Sequence, residues 1–252
     1  MVLSKPLLGQ YAIITGGSRG IGFQISRELA SQGCRITIIA RSVLQCQESV
    51  DYLNKRYPIP QQKHNFLNCD LLNASLACAH ISKTYPEYKN ANILVNCAGM
   101  TQKSLLLNTR EEDIVRIYTL NLISPAILSR FFARSMIRQK HKNANIINIS
   151  SMLAERYLPG TTIYSSSKMG LNRLTTSFSK ELKRRNNQLI RVNSILPGLI
   201  KDTSMGNSVN FTKMKEYGLG DMVTDKERVA KIAAQLILDG SSTGKLVNVL
   251  AS

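Results

Sequence analysis

A chain of 252 residues, 43% hydrophobic and 19% charged, has the composition of a soluble globular protein with a substantial core. It has no apolar run near the ~18 residues of a membrane span, and its five scattered cysteines form no Cys-x-x-Cys pair, so neither a disulfide framework nor a zinc site is expected and a reducing compartment is the default. The formal charge of +17 and pI near 9.9 point to an acidic carrier protein or a polyanionic ligand, with a solvated basic surface as the plainer alternative; nucleic acid is not expected, since no helix-turn-helix pattern, ribonucleoprotein motif or base-placing basic tract is present.

The residues before the first strand offer only Lys5 and Pro6, which make neither a signal peptide nor an Arg-rich transit helix. Export is therefore not expected. Tyr11 to Thr15 is the first strand, followed by Gly16-Gly17-Ser18-Arg19-Gly20-Ile21-Gly22 and an amphipathic helix to about Gln32. Glycines here allow positive φ and close backbone approach, and the helix N-terminus presents amides to a pyrophosphate. The second strand, Arg35 to Ala40, ends in Ala40-Arg41-Ser42, without the acid that usually holds a free ribose 2′-hydroxyl. Arg19 and Arg41 instead flank the expected ribose, and each charge-assisted bond to a 2′-phosphate contributes roughly 1.5 to 3 kcal/mol. The pattern favours NADP(H) over NAD(H).

A helix from Val43 to about Lys55 leads through Pro58 and Pro60 to a third strand around His64 to Leu67, then Cys69-Asp70-Leu71. Asp70 is placed to meet an adenine amino group or to cap a helix. After a helix from Asn73 to about Thr84, the fourth strand, Ile93 to Asn96, ends in Asn96-Cys97-Ala98-Gly99. His64, His80 and His141 are not spaced as metal ligands, and no metal is expected. A helix carrying Asn121 follows, then Ser124-Pro125, which reads as an N-cap with proline at the first helical position. Between Ile114 and Ala154 there is no acidic residue, while Arg116, Arg130, Arg134, Arg138, Lys140 and Lys142 all fall there.

Ile146, Ile147 and Ile149 form a fifth strand ending at Ser150-Ser151, and Tyr164, Lys168, Leu171, Thr175, Phe178 and Leu182 recur at helical spacing. Tyr164 and Lys168 thus share a helix face. An ammonium at roughly 4 Å, with an effective dielectric of about 20, favours a phenolate by on the order of 4 kcal/mol, which brings a tyrosine from a pKa near ~10 toward neutrality. A sixth strand, Ile190 to Leu196, ends at Pro197-Gly198. The polar, glycine-bearing segment 199–223 suits a mobile lid, Thr224-Asp225-Lys226-Glu227 is a capping box for the last helix, and Val247 to Leu250 is a final strand. This alternation predicts one α/β domain over 1–252, a doubly wound parallel sheet of about seven strands with helices on both faces. The strand-end loops at Gly16, Asn96, Ser151 and Pro197 then converge on one cleft.

Thr15-Gly-Gly-Ser-Arg-Gly-Ile-Gly22, Asn96-Cys-Ala-Gly99, Asn121, Ser151, Tyr164-Ser-Ser-Ser-Lys168 and Pro197-Gly198 together resemble the short-chain dehydrogenase/reductase family over nearly the whole chain. Ser151, 13 residues before Tyr164, matches the family serine better than Ser150. The stretches Asn96 to Leu105 and Pro197 to Met205 are similar to β-ketoacyl-[acyl-carrier-protein] reductases of the fungal mitochondrial type. The resemblance implies an NADPH-dependent reduction of a 3-oxoacyl group on acyl carrier protein, a homotetramer, and a location in the mitochondrial matrix. Tyr164 would protonate the carbonyl oxygen, Ser151 would hold it, Lys168 would lower the Tyr164 pKa and bind the nicotinamide ribose, and Asn121 would position a water. Cofactor contacts would come from Gly16, Ser18, Arg19, Gly20, Ile21, Gly22, Arg41, Asp70, Leu71, Asn96, Ala98, Gly99, Tyr164, Lys168, Pro197, Gly198 and Ile200, and carrier contacts from Lys142 and Arg185. Three positions depart from the family pattern: Cys97 replaces an asparagine, Asp202 stands where a threonine is expected, and the last strand lacks Asp-Gly-Gly.

Overall fold

The structure, a computed structural model, describes residues 5–60, 62–184, 190–203, 205–208 and 211–250. Short β-branched runs form the strands β1 (Tyr11–Thr15), β2 (Arg35–Ala40), β3 (Asn65–Asn68), β4 (Ile93–Asn96), β5 (Ala144–Ile149), β6 (Ile190–Pro197) and β7 (Leu246–Val249). All pair in parallel in the order β3-β2-β1-β4-β5-β6-β7. The central strands β1, β4, β5 and β6 are buried at every residue, as expected of strands covered on both faces. The order reverses between β1 and β4, and at such a switch point the flanking loops part to leave a crevice at the carboxyl ends.

Helices α1 (Gly20–Ser31), α2 (Val43–Arg56) and α8 (Lys226–Leu238) cover one face, where Ile25, Leu29, Val50, Val229 and Ala233 meet Ile14, Ile36, Ile38, Val95 and Ile147. On the other face, α3 (Ala74–Thr84), α5 (Ser124–Arg138) and α6 (Thr162–Arg184) pack Ile81, Leu128, Phe132 and Leu182 on Ile13, Ile39, Leu94, Ile146 and Val192. At roughly 25 cal/mol per Å² of apolar surface, these two layers supply most of the drive to fold.

Three expectations change. Ser124 is not an N-cap: α4 (Glu111–Tyr118) continues through a π-helical turn at Thr119–Ile123 into α5, and Ser124 has helical dihedrals. Its hydroxyl hydrogen-bonds the Leu71 carbonyl across the crevice edge. Pro125 lacks the N–H that an α-helix would offer to the Asn121 carbonyl, and the wider turn absorbs that loss. The last helix is capped by Asp225, whose Oδ1 accepts from the Arg228 amide at 2.6 Å, rather than by Thr224.

His64 lies just before β3 as a buried spacer: Nδ1 accepts from the Ile36 amide at 3.1 Å and Nε2 meets the Tyr57 carbonyl at 2.9 Å. Finally, segment 199–223 is less polar in space than in sequence. It contains α7 (Phe211–Glu216), and Met214, Leu219 and Met222 are buried with Met152, Leu158 and Leu196 in a third apolar cluster. Its base is tied by Leu199 N to Met222 O at 2.6 Å and Thr224 N to Leu199 O at 2.9 Å.

Candidate active site

Two adjoining cavities open at the carboxyl ends of the strands. The larger, about 420 Å³, is lined by Gly16, Arg19, Gly20, Ile21, Gly22, Arg41, Asp70, Leu71, Ala98 and Gly99 among others. Gly16 has φ +65° and a Cβ there would sit 3.0 Å from the Ala98 backbone; a Cβ on Gly22 would collide with the Gly16 carbonyl. The turn is thus closed against β4 by the absence of side chains. At the start of α1, Arg19 is the N-cap with no capping side chain, and the first turn carries no acid. Its uncapped amides suit an anion.

Among the described residues no hydrogen bond or ion pair reaches the Arg19 or Arg41 guanidinium. Asp70 caps the following turn, its Oδ1 accepting from Leu72 N at 3.0 Å, and also lines the cleft. These residues fit a dinucleotide: an uncapped amide cradle for the pyrophosphate, free cations beside the ribose, and an acid at the far wall.

The smaller cavity, about 100 Å³, is lined by Ser151, Tyr164, Pro197, Gly198 and Ile200 together with Met152, Met205, Met214 and Met222. Thr203 borders both cavities, whereas Asp202 is exposed. The Thr203 hydroxyl is engaged within its own loop, donating to the Ile200 carbonyl at 2.9 Å and accepting from the Gly206 amide at 3.0 Å.

Ser151 follows the end of β5, its Oγ accepting from the Leu153 amide at 3.1 Å, and Tyr164 lies in the first turn of α6, close enough for the serine hydroxyl to favour the ionised phenol. Burial acts the other way and is the larger effect, so the Tyr164 pKa is raised from its ordinary value. This corrects the sequence-based arithmetic, in which Lys168 alone brings the phenol toward neutrality. The Lys168 ammonium lies 5.9 Å from the Tyr164 ring centroid and donates to the Ile149 carbonyl at 2.7 Å. Lys168 is itself 5% exposed, and burial pushes its pKa down to about 8.

Asn121 is fully buried. Its Oδ1 accepts from Met100 N and its Nδ2 donates to Met100 O, both at 2.9 Å, with a further bond to Ser167 Oγ at 3.1 Å. The side chain is thereby committed to holding the 99–101 segment beside Lys168, and the Pro125 substitution for a helical donor bears on its carbonyl instead.

Several expected contacts lie elsewhere. The Ser18 carbonyl accepts from Ser49 Oγ at 3.0 Å, behind the turn. Asn96 is buried beneath the crevice, donating to Asn148 Oδ1 at 2.8 Å and Ser129 Oγ at 3.1 Å. Lys142 precedes the amino end of β5, about 20 Å of strand from Ser151, so it is not part of the cleft mouth. Arg185 lies outside the described residues.

Sequence reading missed the role of Thr15, whose Oγ1 accepts from the Cys97 and Ala98 amides at 3.0 and 3.1 Å and so fastens β1 to the crevice floor. It also missed the methionines of the smaller cavity, which carry no motif. Cys97 lines the larger cavity, but burial pushes its thiol up to about 12. That keeps it neutral and poorly nucleophilic at pH 7.

The sequence profile described as short chain dehydrogenase matches residues 10–213. The chain is 34% identical to the 3-oxoacyl-[acyl-carrier-protein] reductase FabG of Chlamydia trachomatis over 252 residues, 98% of each chain. It is also 34% identical to carbonyl reductase family member 4 of Danio rerio over 245 residues, 96% of this chain and 97% of the other. Among solved structures, a short-chain dehydrogenase/reductase from Serratia marcescens superimposes with TM-score 0.83 at 27% identity, covering 97% of both. With a seven-stranded parallel sheet, a dinucleotide crevice and these relatives, the chain is an oxidoreductase built for a nicotinamide cofactor and belongs to the short-chain dehydrogenase/reductase family.

Proposed function

We propose that this protein is an NADPH-dependent 3-oxoacyl-[acyl-carrier-protein] reductase of type II fatty acid synthesis. The observation that carries the reading is the buried cluster of Ser151, Tyr164 and Lys168 where an apolar cavity meets the dinucleotide cleft. The two unpaired arginines at the ribose end support NADPH, and similarity to a carrier-protein reductase supports the substrate.

A nicotinamide bound in the cleft supplies hydride to the substrate carbonyl carbon. The chain's part is proton delivery and orientation: Tyr164 gives its phenolic proton to the carbonyl oxygen, and Ser151 donates a hydrogen bond to the same oxygen. Lys168, close to the Tyr164 ring, stabilises the phenolate left behind. The apolar walls formed by Met152, Met205 and Met214 exclude water from that step. Segment 199–223 is proposed as the lid, since Ile200, Thr203 and Met205 reach into both sides of the crevice. Homotetrameric assembly and a mitochondrial matrix location belong to the same proposal.

A second reading, reduction of free carbonyl compounds, is favoured by similarity to carbonyl reductase family member 4 and by the small size of the apolar cavity. Steady-state rates on an acetoacetyl-carrier thioester and on small ketones separate the two. Equal efficiency on free ketones sinks the carrier reading. Tyr164→Phe is expected to lose at least 10²-fold in kcat while NADPH affinity stays within about twofold, measured by turnover and by cofactor fluorescence titration.

A further inference from the structure

The first amides of a helix have no intrahelical acceptor and are ordinarily satisfied by the N-cap side chain. At the start of α6 this does not happen. Thr161 precedes the helix, but its hydroxyl donates to the Leu158 carbonyl at 2.7 Å and receives Ser165 Oγ at 3.0 Å. The amide of Ile163, one residue before Tyr164, is taken instead by Gln102 Oε1 at 2.8 Å, from a loop 61 positions away.

Gln102 is 6% exposed, and its amide nitrogen is also committed, donating to the Ser104 carbonyl at 2.7 Å and Thr109 Oγ1 at 3.2 Å. The oxygen and nitrogen ends are fixed by their partners: an N–H demands an acceptor and a carbonyl a donor. On one side of Gln102 stands Thr101, which lines the smaller cavity, and then Met100, which is held at both N and O by Asn121. On the other side is the loop closed by Thr109. One side chain therefore joins the wall of the cavity, the 104–109 loop and the first turn of the Tyr164 helix.

We propose that Gln102 is a positioning residue for proton transfer, a cap supplied from the 97–110 loop that fixes the first turn of α6 so that the Tyr164 hydroxyl stays against Ser151. This rests on the reading of Tyr164 as the proton donor. Without the cap the Ile163 amide is left buried and unpaired, and the first turn can relieve that only by fraying or rotating. Either movement carries Tyr164 away from Ser151.

The test uses the full chain with Gln102→Met, which removes every bond at nearly the same volume, and Gln102→Glu, which keeps an acceptor for Ile163 N at a helix N-terminus but loses the donors to the loop. Measured are kcat and KM for an acetoacetyl thioester at saturating NADPH, the pH profile of kcat, the NADPH dissociation constant and Tm. Gln102→Met is expected to lower kcat about 10- to 100-fold, as a misplacement near 1 Å does, with NADPH affinity within twofold. Its alkaline limb should move to higher pH, because the Ser151 bond that favours the phenolate is lost. Gln102→Glu is expected to recover most of kcat and to differ chiefly in KM. If Gln102→Met does not fold, Gln102→Ser takes its place.

A lowered Tm with kcat and pH profile unchanged overturns the proposal, since the residue is then only structural. Equal loss of kcat in the Glu variant overturns it too, because the helix tether is not the cause. Tyr164→Phe run in parallel tells which layer fails: if it keeps full activity, the assignment of the acid has fallen and Gln102 with it; if it is inactive while Gln102→Met is normal, the positioning role alone has fallen.

Discussion

Lys168 is a cation held in a place that disfavours cations. Moving its pKa from 10.5 to about 8 corresponds to roughly 3 kcal/mol against the charged form, offset in part by about 1 kcal/mol for the bond to the Ile149 carbonyl. A lysine with a depressed folded pKa contributes its stability fully above the unfolded value of 10.5 and loses it as pH falls through about 8. At pH 7 the cofactor-free protein therefore carries the burial penalty. Lys168→Met is expected to raise Tm by a few degrees at pH 7 while removing turnover, and its advantage should shrink as pH climbs from 8 toward 10.5. A lower Tm than the unsubstituted protein throughout that range would mean that the Ile149 bond outweighs desolvation. On the proposed mechanism, stability is given up here at a residue the chemistry needs, the usual trade at such sites.

Arg41 presents the converse case, an exposed cation at the cleft with no partner among the described residues. If Arg41 holds a ribose 2′-phosphate as proposed, Arg41→Asp removes one charge-assisted bond and introduces repulsion, so the ratio of kcat/KM for NADPH over NADH is expected to fall by at least 10-fold. Persistent NADPH preference in that variant would move the ribose assignment elsewhere.

Among the elements, strands and helices with strong periodicity were readable within a residue or two, because β1, β2 and β4 are short runs rich in β-branched and apolar residues and α6 repeats its buried face from Tyr164 to Leu182. The failures share a cause. Ser124 and Thr224 have good local capping chemistry, yet a carbonyl from Leu71 and a better-placed Asp225 decide the matter. Gln102 and Thr15 fall within recognised stretches, but their roles were not legible because their partners are distant in sequence. Ser18 and Asn96 fall within motifs but face the scaffold. The glycines and the Tyr-x-x-x-Lys pair were legible because their chemistry is local, whereas the cavity walls arise from packing.

His64 shows how such a distant contact reaches pH behaviour. Burial lowers its pKa, and the β2-to-β3 spacing depends on the neutral ring accepting from Ile36 N. Its contribution is present above the unfolded value of 6.5 and is lost as pH falls through the lower folded value. Chemical denaturation midpoints are thus expected to drop below pH 6.5, and His64→Gln, which has an acceptor and a donor but no titration, should flatten that part of the curve at some loss of stability at pH 7. An unchanged slope would assign the acid sensitivity to other groups.

Over the whole molecule, the charge of +17 is unevenly arranged, and the helix that runs unbroken from Glu111 to Arg138 displays this along its length. Its first turn carries Glu111, Glu112 and Asp113, its last turns carry Arg134 and Arg138, and exposed Val115 and Ile123 lie between. In the homotetramer proposed above, two copies laid antiparallel about a twofold axis near Ile123 would bring acid against base at both ends and bury the aliphatic residues in the middle, the self-complementary pattern that an isologous contact needs. Each exposed ion pair contributes only about 0.2 to 1 kcal/mol, but the symmetry makes every pair occur twice. Arg134→Glu combined with Arg138→Glu is therefore expected to weaken self-association about 10-fold or more at low salt, a loss that shrinks as added salt shortens the Debye length from ~10 Å. Adding Glu111→Arg and Glu112→Arg to the same chain reverses both ends and should restore the assembly. Light scattering after size exclusion reads each step, and a fourfold variant that stays dissociated would show that this helix is not the contact.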